Sequence, residues 1–280
     1  MKATIIGHGY LGRRVSERLP DVSVLALSRT GEWRGHPMSH VVLRRCDLTE
    51  CSTDELAAHI QPDAPLVVCH AAGRKQDASS VYVAGARVIA NACERSRPSR
   101  VVYTSSTSAL PDVSALVDET ETRWPEFPRG RVQRQAEETL RDGLSRASIP
   151  LTILRLAGLY GPGRDLRRLY LKDPSTTISG DGMEATNLIH IEDAVAAVHA
   201  ALHRAVPYEG VIHVCDGDHT PRRLMIQRVC HAAGEPGPPF AMPAPTSGAT
   251  RGKRVVSARL GPILSVDLRH PHRDFQFESD

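Results

Sequence analysis

The chain has 280 residues, 41% of them hydrophobic and 24% charged, a mixture that sustains a large core and excludes global disorder. Lys+Arg is 35 against Asp+Glu 32, a net charge of only +3, which argues against a dedicated nucleic-acid binder. Only four of those 35 positives are lysines, namely Lys2, Lys75, Lys172 and Lys253; the rest are arginines.

Taken in chain order, short apolar runs alternate with helix-like segments over the first 156 residues. Strands are expected at Ala3–Ile6, Val22–Leu27, Val41–Leu43, Leu66–Cys69, Arg100–Thr104 and Leu151–Leu156. Most of these runs are unbroken rather than alternating, as strands buried on both faces are. Helices are expected at Ser80–Arg95 and Gly130–Arg146, where apolar residues fall at helical spacing. Strand–helix alternation implies a parallel sheet with helices on both faces and right-handed crossovers. Past Tyr160 the pattern loosens into a Gly161-Pro162-Gly163 turn, an arginine-rich stretch and Ser179-Gly180-Asp181-Gly182. A helix at Ile191–His203, a strand at Gly210–Val214 and a helix at Pro221–Ala233 follow. The stretch Glu235–Thr250, rich in Pro, Gly, Ala and Ser, reads as a loop.

The expected architecture is α/β, a Rossmann-like doubly wound parallel sheet with a smaller C-terminal lobe. Residues 1–160 would form the nucleotide-binding domain. Residues 161–280 would form most of a substrate lobe, with some segments returning to the sheet.

None of the six cysteines forms a C-x-x-C pair, and in a chain of this length they do not read as a disulfide framework. The N-terminus runs straight into a strand without a charged n-region or cleavage site. No apolar stretch approaches the roughly 20 residues of a membrane span. The expected location is cytoplasmic, with no membrane partner. No metal is expected, because His190, Glu192 and Asp193 at a helix start cannot all point at one ion.

Gly7-His8-Gly9-Tyr10-Leu11-Gly12 is G-x-G-x-x-G, placed after the first strand and opening a helix. Gly7 permits the tight turn, Gly9 lets backbone approach a pyrophosphate, and Gly12 lets helix and strand pack closely. The helix N-terminus adds free N–H groups and partial positive charge. The second strand ends Leu27-Ser28-Arg29-Thr30, with no acid to hold ribose hydroxyls. Arg29 instead suits a 2′-phosphate, with Arg13 and Arg14 nearby, so NADP(H) is favoured and NAD is the alternative.

With this loop come Cys46-Asp47-Leu48, His70-Ala71-Ala72, Val102-Tyr103-Thr104-Ser105-Ser106, Tyr160-Gly161-Pro162-Gly163 and Asn187-Leu-Ile-His-Ile-Glu-Asp193-Ala. In this order and spacing the chain resembles the extended short-chain dehydrogenase/reductase family, also called the NAD-dependent epimerase/dehydratase family. The resemblance implies that Asp47 and Leu48 flank adenine, that His70, Ala71 and Ala72 run beside the cofactor, and that Ser106 bonds the reacting oxygen.

Active members of that family carry Tyr-x-x-x-Lys on the helix after this serine, commonly as Tyr-Gly-x-Ser-Lys-x-x-Ala-Glu. Here the segment reads Arg129-Gly130-Arg131-Val132-Gln133-Arg134-Gln135-Ala136-Glu137. The register set by Gly130 and Ala136-Glu137 puts Arg129 at the tyrosine and Gln133 at the lysine, still i,i+4 on one helix face. Gln133 can hydrogen-bond ribose hydroxyls but carries no charge. Arg129 can stabilise an oxyanion but is no general acid near neutrality. None of the four lysines lies between Lys75 and Lys172, the span holding this helix.

Tyr160 is the alternative proton donor, although packing is its favoured reading; Tyr103 is expected to point into the sheet, His70 to be a packed turn residue, and His190 to enter a helix. On the substrate side, Gly158 occupies a position where sugar-nucleotide members carry Asn. Arg164, Arg167 and Arg168 could bind an anion, as could Lys253 and Arg254. The leading expectation is an atypical NADP(H)-dependent oxidoreductase reducing a small carbonyl or imine. A non-catalytic NADP(H)-binding sensor and a sugar-nucleotide-type epimerase/dehydratase are the alternatives. Two long exposed helices would allow a homodimer.

Overall fold

The computed structural model describes residues 1–33, 35–73, 75–171, 176–243, 250–273 and 275. Lys172 and residues 244–249 of the Pro-rich stretch lie outside the described residues. The first half contains β1 (Lys2–Ile6), α1 (Tyr10–Glu17), β2 (Ser23–Ser28), β3 (Val41–Arg45), α2 (Thr53–His59) and β4 (Pro65–Val68). It continues with α3 (Gly85–Ser96), β5 (Arg100–Ser106), β6 (Leu116–Val117), α4 (Pro128–Arg146) and β7 (Leu151–Leu156). The remainder holds β8 (Gly158–Tyr160), α5 (Leu166–Tyr170), β9 (Leu188–His190), α6 (Ile191–His203), β10 (Gly210–Val214), α7 (Arg222–Ala233), β11 (Arg254–Val255) and α8 (Leu260–Leu264).

Seven strands form one parallel sheet in the order β10-β7-β5-β4-β1-β2-β3. The unbroken apolar runs have the expected cause, since neighbouring residues of one strand enter opposite layers. Ile5, Val67 and Leu154 face the layer covered by α1 and α6, whereas Ile6, Val68 and Ile153 face that of α2, α3 and α4. A smaller core gathers Tyr160, Leu166, Leu188, Met225, Ile226 and Val229 at the C-terminal ends of the strands. β10 returns from that half of the chain to the edge of the main sheet, beside β7.

Three expected segments differ in detail. The helix expected from Gly130 begins at Pro128, whose missing N–H costs nothing in a first turn. The segment expected as one helix from Ser80 opens as a π-helical turn, Ser80–Ala84, before α3. The helix expected from Pro221 begins at Arg222, with Pro221 as its cap.

Buried polar contacts hold the later chain in place. Asp193, fully buried at the start of α6, accepts the backbone N–H groups of Arg269 and His270 at 2.8 and 3.0 Å. Arg273 closes a buried ion pair with Asp216, Nε to Oδ2 2.8 Å, and donates to the Thr186 hydroxyl. The Asn187 amide bridges β9 to β11, donating to the Lys253 carbonyl and accepting from Val255 N–H.

Candidate functional site

β1 and β4 are neighbours, but their crossovers run to opposite sides of the sheet, and ligands of open α/β sheets gather at the C-terminal ends of strands at such a switch. The glycine loop is at that point. Gly7 has φ +99°, and a Cβ there would lie 2.4 Å from the His70 backbone nitrogen. A Cβ on Gly12 would lie 2.2 Å from the Gly7 carbonyl and 2.8 Å from Cys69 Sγ. Both glycines therefore permit a close approach that any side chain would break.

Gly9 is different: a Cβ there meets nothing within 4 Å. It caps α1, whose first turn receives no side-chain cap and contains no acid. The space above Gly9 is open at a helix start whose N–H groups receive no side-chain cap. Cys69 braces the loop from below, its thiol donating to the Gly7 carbonyl at 3.3 Å. Burial pushes that thiol up to about 12, so it stays a donor at physiological pH.

The remaining residues expected around a dinucleotide gather at the same edge. Arg29 is exposed at the end of β2, and its Nη1 lies 3.6 Å from where a Cβ on Gly73 would stand. The guanidinium therefore lies alongside the turn that begins His70-Ala71-Ala72. Ala72 N–H donates to the Tyr82 hydroxyl at 3.1 Å, which fixes that turn against the π-helical segment. Asp47 Oδ1 accepts the Thr49 N–H and hydroxyl, and Leu48 is buried against α3 near Gly85.

Two loop residues turn elsewhere. His8 is 3% exposed and stacks edge-on against Trp33, ring centroids 5.4 Å apart. Tyr10 donates to the Pro162 carbonyl at 3.1 Å, and Arg14 donates to the same oxygen at 2.8 Å. Together they tie the start of α1 to the Gly161–Arg164 turn. Leu11 is core.

His70 Nε2 lies 3.2 Å from the Val81 carbonyl, so this nitrogen carries the proton and donates. Nδ1 is buried without a hydrogen-bond partner among the described residues. Burial lowers the imidazole to about 4, which keeps it neutral near pH 7. Its expected role as a packed turn residue matches this placement.

Ser106 ends β5 and caps a 3-10 turn, Thr107–Ala109, its Oγ accepting the Ser108 N–H at 3.1 Å. Gly130 packs α4 onto this turn, since a Cβ there would lie 2.5 Å from the Ser108 carbonyl. The helix carrying Arg129 and Gln133 is thus brought against the turn after Ser106. Arg129 is exposed. Gln133 is 5% exposed and its amide has no hydrogen-bond partner among the described residues.

A buried network lies beneath them. Ser105 donates to Glu137 Oε1 at 2.6 Å, and Arg155 clamps both carboxylate oxygens, Nη2 to Oε2 2.7 Å. In sequence Glu137 serves only to set the register of this helix. Its signal was an acid at an apolar-face position of a helix, matched by an arginine within the apolar run of β7.

Tyr160 is 2% exposed and packs edge-on to His190, centroids 5.2 Å apart, within the smaller core. His190 caps α6, its Nδ1 accepting Glu192 N–H at 3.3 Å, and stacks on His270. Tyr103 is buried in the sheet as expected. Gly158 is pressed against Leu188, 2.8 Å from a hypothetical Cβ. Arg164 lies over the Tyr10 ring, 5.6 Å from its centroid. With Arg167, Arg168 and Glu235 it lines a cavity of about 570 Å³. Arg254 is on β11 with its Nε buried and unpartnered among the described residues. Among the described residues no group of three His, Cys, Asp or Glu side chains could hold a metal. No helix among them is long and apolar enough to cross a membrane.

Residues 3–215 match the model of the NAD dependent epimerase/dehydratase family. The chain belongs to this family. Protein YeeZ of Escherichia coli K12 is 28% identical over 277 residues, covering 96% of both chains. The 2'-dehydrokanamycin reductase of Streptomyces kanamyceticus is 29% identical over 201 residues, 68% of this chain and 53% of that protein. Among solved structures, MoeE5 in complex with UDP-glucose and NAD aligns with a TM-score of 0.80 at 19% identity, covering 96% of this chain and 94% of that one. Its likeness is one of fold, over nearly the whole chain.

Proposed function

We propose that the chain is an NADP(H)-dependent oxidoreductase that reduces a small, anionic carbonyl or imine compound without a Tyr-x-x-x-Lys pair. The observation that carries this reading is the open space above Gly9 at an uncapped helix start, with Arg29 and no acid closing the second strand. The family match supports a nicotinamide dinucleotide, and a relative named as a reductase supports hydride transfer.

A bound nicotinamide dinucleotide would supply the hydride; positioning it would fall to the protein. Gly9 would leave room for the pyrophosphate above the closely packed Gly7 and Gly12, and Arg29 would pair the 2′-phosphate. Asp47 and Leu48 would border adenine, and His70, Ala71 and Ala72 would run beside the cofactor. Gln133 offers its amide to ribose hydroxyls. Ser106 has its Oγ lone pair engaged by Ser108 N–H, which leaves its own O–H to donate to the substrate heteroatom. The exposed guanidinium of Arg129 adds positive charge as the oxyanion develops. Arg164, Arg168 and Arg254 attract an anionic group on the substrate.

Because a guanidinium is a poor general acid and Gln133 is uncharged, a sensor that binds NADP(H) without turnover is the second reading. Thermal shift and NADPH fluorescence measure binding, and NADPH oxidation over a panel of carbonyls and imines measures turnover. Binding with turnover is expected. Binding without turnover on any compound favours the sensor, and no binding of NADPH or NADH overturns both.

A further inference from the structure

The helix where the family keeps its lysine has none here, yet a lysine does reach the turn beside Ser106. Lys253 Nζ donates to the Leu110 carbonyl at 3.0 Å. Leu110 directly follows the 3-10 turn that Ser106 caps and onto which Gly130 packs α4. At roughly 2 Å of rise per residue, that places the ammonium anchor on the order of 8 Å along the chain from Ser106.

The placement is fixed from both sides. β11 begins at the next residue and pairs in parallel with β6, Arg254 opposite Leu116. Arg254 N–H donates to the Ala115 carbonyl. Asn187 grips the Lys253 carbonyl at 2.9 Å and the Val255 N–H at 2.8 Å. Lys2 starts β1, at the far end of the strands from the glycine loop, and Lys75 is exposed in a loop. The Lys253 ammonium has three donors, of which the Leu110 carbonyl takes one.

We propose that Lys253 is the proton source for the reduction, standing in from the C-terminal segment for the acid absent from α4. This rests on the dinucleotide reading above. A bound NADPH would supply the hydride for the new C–H bond at the carbonyl carbon, leaving NADP⁺, and the displaced C=O π pair would reside on oxygen. That oxygen takes a proton from Nζ, the N–H bond breaks, and the neutral amine regains a proton from solvent through its half-exposed side. Burial lowers the ammonium from its ordinary range, toward the region where a general acid is effective, while the nearby Asp112 carboxylate opposes the shift.

With only four lysines, the test is direct. Reductive methylation of the full chain with ¹³C-formaldehyde gives one resonance per lysine, and Lys253→Arg assigns the one of interest. The Lys253 signal is expected to titrate below the ordinary lysine range and to move when NADPH, followed by its own fluorescence, saturates the protein. NADPH saturation with the signal unmoved, or titration in the ordinary range, overturns the proposal and leaves the dinucleotide reading intact. No NADPH binding overturns that reading itself. On the fastest carbonyl of the panel, Lys253→Met and Lys253→Arg should each lower kcat by about 100-fold. Arg keeps the charge and the bond to Leu110, and the NADPH affinity of both variants should be unchanged. Full activity in either variant contradicts proton donation.

Discussion

Arg155 on β7 and Glu137 on α4 form a two-pronged ion pair in the sheet–helix interface, with Arg155 1% exposed and Glu137 fully buried. The pair fastens the helix carrying Arg129 and Gln133 to the strand beside β5, and Ser105 completes it from β5. Removing one partner strands a charge. Glu137→Leu should destabilise by about 3–5 kcal/mol, and Glu137→Leu with Arg155→Met by much less. Urea unfolding of the two singles and the double measures this; additive losses would contradict the account.

The three loop glycines separate stability from binding. Gly12→Ala drives a Cβ into the Gly7 carbonyl and Cys69, and should cost about 1–3 kcal/mol of stability. Gly9→Ala meets open space, so its melting temperature should match the wild type. Its methyl stands where the phosphate would, so NADPH affinity should fall at least about tenfold. Thermal melts and fluorescence titration of the two variants make the comparison. Unchanged affinity in Gly9→Ala would remove the phosphate from this loop.

His70 predicts an acid sensitivity. Its folded-state value is depressed by burial to about 4, against 6.5 for the free imidazole. The unfolded chain therefore binds a proton that the folded chain refuses between those values. The contribution is complete above 6.5 and is lost as pH falls toward 4. Between pH 7 and pH 5 the wild type should lose up to about 2 kcal/mol more than His70→Phe. Urea unfolding at both pH values tests it, and equal losses would place His70 in water.

Much of the fold was legible because it is local. Ile191–His203 was bounded by its own periodicity, and β1, β4 and β7 by unbroken apolar runs that two helical layers require. α2 went unread although Ser52 and Glu55 spell out its capping box, each side chain bonding the other's backbone N–H. The glycine loop was legible because Gly7 and Gly12 answer steric demands and Gly9 leaves the helix start open. The Lys253 placement was not, since it depends on a two-residue strand pair between β6 and β11, far apart in the chain and without periodicity. The inward packing of Tyr160 was the favoured reading of that turn, and the smaller core holds it.

The glycine loop and Arg29 together are proposed to form an NADP(H) site. The most direct measurement is the pair of dissociation constants for NADPH and NADH, on the wild type and on Arg29→Ala. Loss of a charge-assisted phosphate contact should weaken NADPH binding by about 10- to 100-fold in Arg29→Ala and leave NADH unchanged. Equal affinities for the two dinucleotides in the wild type, with no effect of the substitution, would contradict it.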